Sequence, residues 1–316
     1  MKPCKAPDQS HQFARELLWL AVAPLAALVW SYWPTFVELW QFWQRNDDYS
    51  VGQFVLPTAI VLAIYKCRRL SADQIKMGIA GIPVFLAAQA LRYTGVQSSH
   101  ESLERYSLVL SVVAVTLLMT GPVVFMKLKY IFMFLLLMVP LPASIHESIA
   151  LPLQSWATSA AVFSLELLGF LVVREGHVLR IENESVFAVI EGCSGLRMLT
   201  AFVFVSAVLA LTIRGPRWER IALLLMSIPV ALISNTIRLV ITAVVMHMGG
   251  GTPLSDSTHA LAGLAMMPLG LIISFSGLRL LRMLTSPPTT APVSTKRRPS
   301  VTKVIIPSSA RVSHSS

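Results

Sequence analysis

The stretch Leu108 to Met126, LVLSVVAVTLLMTGPVVFM, has no charged side chain and is closed by Lys127 and Lys129. One bilayer crossing takes about 20 mainly apolar residues, so this stretch has the length and chemistry of a membrane span. Similar runs lie on both sides of it: 17–40, 54–65, 77–91, 130–141, 151–173, 196–213, 221–246 and 260–281. Of the 316 residues, 54% are hydrophobic and 13% are charged, against roughly 25% charged in an ordinary soluble domain. That composition excludes a water-soluble single domain. Abundant Leu, Ile, Val and Phe equally exclude a disordered chain. The expected fold is all-α, a polytopic membrane bundle of about eight transmembrane helices. A short extracytoplasmic β-like segment is expected near the β-branched stretch Val186 to Ile190.

Charge gives the orientation. The net charge is +10, from 26 Lys and Arg against 16 Asp and Glu. The cations cluster at 66–69, 127–129, 214–220 and after Arg279, which assigns those ends to the cytoplasm. The segments 44–53, 92–106, 174–192 and 248–258 then face outward. Lys129 inside and Arg174 outside require an odd number of crossings over 130–173. One crossing near 130–145 satisfies this, leaving 146–172 along the outer interface or only partway in. Glu38, Arg92 and Tyr93 read as interfacial anchors, and the tryptophans of 19–43 as an aromatic belt. No basic face carries interleaved aromatics, so nucleic acid is not an expected partner; membrane lipid is. The first apolar run reads as a retained span rather than a cleaved signal. Three regions follow: a cytoplasmic segment 1–16, an integral membrane domain 17–284, and a basic tail 285–316 rich in Pro, Ser and Thr.

The cysteines are Cys4, Cys67 and Cys193, an odd number at spacings that fit neither a disulfide framework nor a zinc site. No metal-ligand cluster and no phosphate loop is visible, and no cofactor is expected. Reactive groups do stand at the edges of the apolar runs. In Glu191-Gly-Cys193-Ser194-Gly-Leu-Arg197, glycines flank a thiol and an apolar helix follows. A thiol at a helix N-terminus has its pKa lowered by the helix dipole, and Arg197, four residues on, can favour the thiolate. The plainer alternative is a packing cysteine beside a snorkelling arginine. Arg238 lies within an apolar run, three residues after Asn235; a guanidinium there costs about 2.5–3.5 kcal/mol on the insertion scale. It must face the bundle or water, or snorkel outward. His259 opens the last span, where a structural histidine is the alternative.

Orientation brings these groups to one depth. Cys193 begins an out-to-in span, Arg238 lies in the outer half of an in-to-out span, and His259 begins the next. Thiol and imidazole are the minimal set for nucleophilic acyl transfer, and a fixed cation can stabilise an oxyanion. Two other classes stay open: a transporter or channel lined by Arg238 and His259, and a structural partner in envelope assembly without chemistry. A transporter would more often show internal repeats with broken helices, and no repeat is evident.

These residues resemble the exosortase/archaeosortase family of membrane-embedded sorting transpeptidases. The resemblance rests on Cys193-Ser194-Gly195-Leu196-Arg197, on Pro229 to Arg238, and on His259 with Gly263. Asp48-Tyr49-Ser50-x-Gly52 leading to Leu56-Pro57, and Met138-Val-Pro-Leu-Pro142, add weaker support. Val51 departs from the family, where many relatives carry His. The resemblance implies a catalytic set of Cys193, Arg238 and His259, with Arg197, Ser194, Asn235 and Glu191 supporting. It also implies exported substrate proteins bearing a C-terminal signal: a short motif such as Pro-Glu-Pro, an apolar helix and a basic cluster. The setting it implies is the bacterial inner membrane, with the site on the periplasmic side.

Overall fold

The computed structural model describes residues 23–68, 74–98, 100–176, 178–181, 185–188, 195–213, 215–248, 270, 272–277, 279 and 282–283. The elements in chain order are α1 (23–31), α2 (Trp33–Arg45), a 3₁₀ turn (Asp47–Tyr49), α3 (Gly52–Cys67), α4 (Gly81–Gln97) and α5 (Glu101–Leu135). Then follow α6 (Ala143–Leu167), strands β1 (Val172–Glu175), β2 (Val178–Ile181) and β3 (Ser185–Ala188), α7 (Leu196–Thr212) and α8 (Arg217–Met248). The segments 1–16 and 285–316 lie outside the described residues.

The deciding stretch 108–126 falls in α5, and α5 is not one straight rod. Gly121 inside it has φ 79° and ψ 178°, and Pro122 cannot donate the helical hydrogen bond. Contacts with α2 show what happens there. Thr35 donates to Glu104 (2.7 Å), and the Trp43 indole donates to the carbonyl of Met138 (3.0 Å). Thr35 and Trp43 are separated by about 12 Å of helical rise, whereas a straight helix from 104 to 138 would run about 51 Å. The chain therefore reverses at Gly121, and both limbs return to α2. The sequence places the turn at Lys127 to Lys129; the Gly-Pro pair sets it a few residues earlier, and Lys127 instead donates to Gln74 (2.7 Å).

Three helical stretches among the described residues are long and apolar enough to cross a membrane: Asp47–Cys67, Glu101–Met138 and Arg217–Met248. The reversal divides the second into two limbs. α4 packs closely on α5, and α7 on α8. The main core joins Leu39, Val55, Leu108, Ile131 and Leu135. Trp43 belongs to that core rather than to an aromatic belt, whereas Trp30, Trp33 and Trp40 are exposed. Glu38 is likewise no mere anchor: it pairs with the buried Arg105, which also bonds Glu101 at 2.6 Å. Arg92 donates to the Ser31 hydroxyl (2.7 Å) and lies over the Tyr32 ring.

α6 takes a slanted course. Its Ala150 and Leu153 pack on Leu196 at the start of α7, its Ala157 and Ala161 on Leu239, and its Leu165 on Ala243. Leu196 follows Gly195, which touches Asn235. From Ala150 to Leu165, α6 advances about 22 Å, while Asn235 to Ala243 is about 12 Å of α8. The helix thus leans across the Asn235–Ala243 part of α8, and the chain beyond it, at Phe170, meets His247 ring to ring at 5.5 Å. The polar residues of 151–173 are partly accounted for by this packing, since Gln154 and Thr158 are buried.

The β-like segment is larger than the sequence suggests. β1, β2 and β3 form an antiparallel three-stranded sheet in order β1-β2-β3, with Val173 opposite Arg180 and Leu179 opposite Phe187. Leu179 and Ile181, both buried, seat the sheet on α6 and α8. The alternation Val178-Leu179-Arg180-Ile181, with Leu179 and Ile181 inward and Arg180 exposed, has the period of a strand.

Candidate functional site

The site is assembled at the start of α7. Gly195 has φ 83°, a left-handed conformation in which L side chains are strained. It is also crowded: a Cβ there would lie 3.1 Å from Nδ2 of Asn235. Asn235 is wholly buried on α8, and its Oδ1 accepts from Nη2 of Arg238 at 3.0 Å. Arg238 is only 4% exposed. It therefore faces the bundle, and the snorkelling alternative is closed for this rotamer. One carboxamide links the backbone just after the Cys193-Ser194 dipeptide to a buried cation one helix away.

The first turn of α7 is held from the other side by the Asp47–Tyr49 turn. Arg197 donates to Asp47 at 2.9 Å, and the Thr200 hydroxyl donates to the carbonyl of Asp48 at 2.7 Å. The Asp48 carboxyl also faces the backbone N–H of Arg197, where a negative charge suits the helix dipole. Two consequences bear on the sequence reading. The Arg197 cation, expected to favour a thiolate, is engaged by Asp47. The positive end of α7 already faces a carboxylate. The Arg197–Asp47 pair ties the first turn of α7 to the Asp47–Tyr49 turn.

A histidine that the sequence reading passed over completes this layer. His146, in the first turn of α6, has Nδ1 3.0 Å from the Tyr49 hydroxyl and Nε2 3.8 Å from Oδ2 of Asp48. Tyr49 itself is buried against Phe42. The two weaker motifs thus meet: Asp48-Tyr49 reaches the residues just after Pro140-Leu141-Pro142. The signal was present in those motifs, but only the fold shows that they share a partner. A cavity of about 310 Å³ opens beside them, lined by Asn46, Tyr49, Ser102, Arg105, His146 and Glu147 among others. A second, apolar cavity of about 180 Å³ lies beneath, between Tyr49, Val55, Leu137, Leu196 and Val203.

Of the sequence-derived site residues, Asn235, Arg238 and Arg197 are placed, the first two together. Cys193, Ser194, Glu191 and His259 lie outside the described residues. Cys193 precedes Gly195 by two residues in the sequence. Among the described residues no group of three His, Cys, Asp or Glu side chains gathers to hold a metal ion.

A bundle of long apolar helices, with a buried arginine on α8 joined through Asn235 to the start of α7, has the make-up of an integral membrane protein. The chain matches the family model described as transmembrane exosortase over residues 43–276. It belongs to that family, whose members are membrane sorting transpeptidases acting on exported proteins. No curated protein and no solved structure matches the chain.

Proposed function

We propose that this chain is a cysteine transpeptidase that cleaves the C-terminal sorting signal of exported proteins through a thioester. The substrate signal is of the Pro-Glu-Pro type, followed by an apolar helix and a basic cluster. Cys193 is the nucleophile, His259 carries the protons, and Arg238 steadies the oxyanion or orients the scissile bond. Ser194, Glu191 and Asn235 support the site, and Arg197 positions α7. The enzyme works in the bacterial inner membrane with its site on the periplasmic side, in the service of envelope or exopolysaccharide assembly. One observation carries the reading: Asn235 touches both Gly195 and Arg238. A guanidinium is expensive to bury, and here it is held beside the helix start that follows the cysteine motif.

The chemistry fits the location. In a low-dielectric site, a preorganised cation aimed at a developing oxyanion is worth far more than in water. A substrate whose signal includes an apolar helix can approach laterally, so its motif meets the nucleophile at the outer boundary. The test is a secreted reporter carrying that signal, co-expressed with the enzyme. Cys193→Ala, Arg238→Ala and His259→Ala should each leave it unprocessed while the protein still inserts. Full processing by Cys193→Ala would rule out the covalent mechanism.

A further inference from the structure

Along the second half of α7, the second limb of α5 and the start of α8 leave a cavity of about 420 Å³. Phe134 and Ala210, both buried, floor it, while Tyr130, Met133, Ile221 and Leu224 are exposed at its open side. The lining runs from 130 to 137, from 203 to 211 and from 217 to 224, about 10–12 Å of each helix. One leaflet of hydrocarbon is about 15 Å deep, so the groove has the reach of an acyl chain, whereas a spanning helix needs about 30 Å. One end of the groove is cationic. Arg217 and Arg220 line it, and Lys129 lies over the Tyr130 ring, 5.1 Å from its centre. Lys66 of α3 is near enough to Arg220 for the two charges to repel. Nε of Arg220 is buried with no hydrogen-bond partner, and its Nη2 donates to the Ile213 carbonyl over a long 3.4 Å. Glu219 does not line the groove, and Arg282 donates to it at 3.0 Å. Among the described residues no carboxylate pairs with Arg217 or Arg220. α8 begins at Arg217, so its free N–H groups and dipole add to the positive field. A buried donor without an acceptor is costly, and like charges repel more strongly away from water. A single anion answers both.

We propose that this groove binds an anionic phospholipid, its phosphate held by Arg217 and Arg220 and one acyl chain laid against Phe134 and Ala207. Guanidinium groups bind phosphate through paired N–H donors, and the partnerless Nε of Arg220 supplies one of them. Charge selects this occupant over the other apolar ones. The apolar helix of the proposed sorting signal is followed by a basic cluster, which this mouth repels. A zwitterionic headgroup brings its own ammonium to Lys66, Lys129, Arg217 and Arg220, whereas an anionic one presents net negative charge to them. The charge pattern puts this end in the cytoplasm, so the lipid is drawn from the cytoplasmic leaflet, where basic residues meet anionic headgroups. Its chain fills the gap that α5 and α8 leave over α7. The site is independent of the thioester chemistry.

The test uses the full-length protein in detergent micelles, titrated with phosphatidylglycerol or phosphatidylcholine carrying a photoactivatable diazirine in the acyl chain. Mass spectrometry locates the crosslinks, and the crosslinked fraction gives the affinity. The wild type should bind phosphatidylglycerol at least tenfold more tightly than phosphatidylcholine, with crosslinks within 130–137, 203–211 or 217–224. Arg217→Gln and Arg220→Gln together should weaken phosphatidylglycerol at least tenfold and leave phosphatidylcholine unchanged. Lys127→Gln removes a neighbouring cation that donates to Gln74 instead and should change neither. An equal loss in Lys127→Gln marks general surface attraction and overturns the site. Equal binding of the two lipids overturns it, as do crosslinks confined to other helices. Adding the signal-bearing reporter should leave the crosslinks in place; their loss assigns the groove to the substrate helix and overturns the lipid. Should the double variant fail to fold, Arg217→Gln alone, at an exposed position, decides: an unchanged phosphatidylglycerol affinity overturns the proposal.

Discussion

The backbone of Gly195 lies against the carboxamide of Asn235, so closely that a methyl group at residue 195 would stand 3.1 Å from Nδ2. Because the same carboxamide accepts from Arg238, the position of α7 and the position of the buried guanidinium are one geometric fact. Gly195→Ala has two costs. A left-handed φ costs an L residue about 1–2 kcal/mol, and Asn235 must give way. The expected outcome is at least a tenfold loss of reporter processing with only a modest drop in the detergent melting temperature. Wild-type processing by Gly195→Ala would show that the contact does not govern the site.

The Arg197–Asp47 pair makes a sharper distinction. Asp47 is 67% exposed and Arg197 30%, and exposed ion pairs contribute about 0.2–1 kcal/mol, so neither substitution should unfold the protein. If Arg197 is a strut, Arg197→Gln and Asp47→Asn should lower processing by similar factors. The double variant should then be no worse than either single one. If the guanidinium instead acts on the thiolate, freeing it through Asp47→Asn should not slow the reaction. Initial rates of the four proteins decide between them.

The Arg105 guanidinium is buried, with one partner, Glu38, partly covered and the other, Glu101, mostly in solvent. Removing one member of a buried pair costs about 3–5 kcal/mol because the other charge is stranded. Glu38→Gln should therefore destabilise the protein much more than Glu101→Gln, and Arg105→Met, which leaves only glutamates that reach solvent, should cost less than Glu38→Gln. Thermal unfolding in one detergent gives the ranking; equal shifts for the two glutamates would show that Arg105 is solvated in practice.

At Gly121 the expectation concerns folding itself. Its φ of 79° and the close approach of the Lys76 carbonyl leave no room for a side chain. Gly121→Ala should prevent the two limbs of α5 from closing, seen as loss of the folded fraction by size-exclusion chromatography. Pro122→Ala, which keeps the glycine, should be tolerated better, since the glycine alone supplies the φ that the reversal needs.

Much of this was legible in the residues, for identifiable reasons. Apolar runs bounded by Lys and Arg announce membrane helices, because burying a charge in lipid is costly. Arg238 stood out for the same reason. The break at Gly121-Pro122 was written in two residues whose backbone preferences are unusual, yet the nearby lysines pulled the expected turn toward 127–129. The roles of Glu38 and Trp43 were not legible: a tryptophan at a helix end looks the same whether it faces lipid or donates to Met138. The Asp48–His146 relation spans nearly a hundred residues and depends on where α6 begins after Pro142. No local pattern encodes such a distance, so His146, four residues past Pro142, carries no signal of its own in the sequence.

The Asn235 bridge also has a consequence in time. Arg238 leaves the ribosome roughly 40 residues after Gly195, which at about 5–20 residues per second is a delay of some seconds. During that interval the start of α7 exists without the Asn235 carboxamide that lies against Gly195 and without the guanidinium that this carboxamide holds. The packing of α7 on α8 is therefore completed only when α8 has followed α7 into the bilayer.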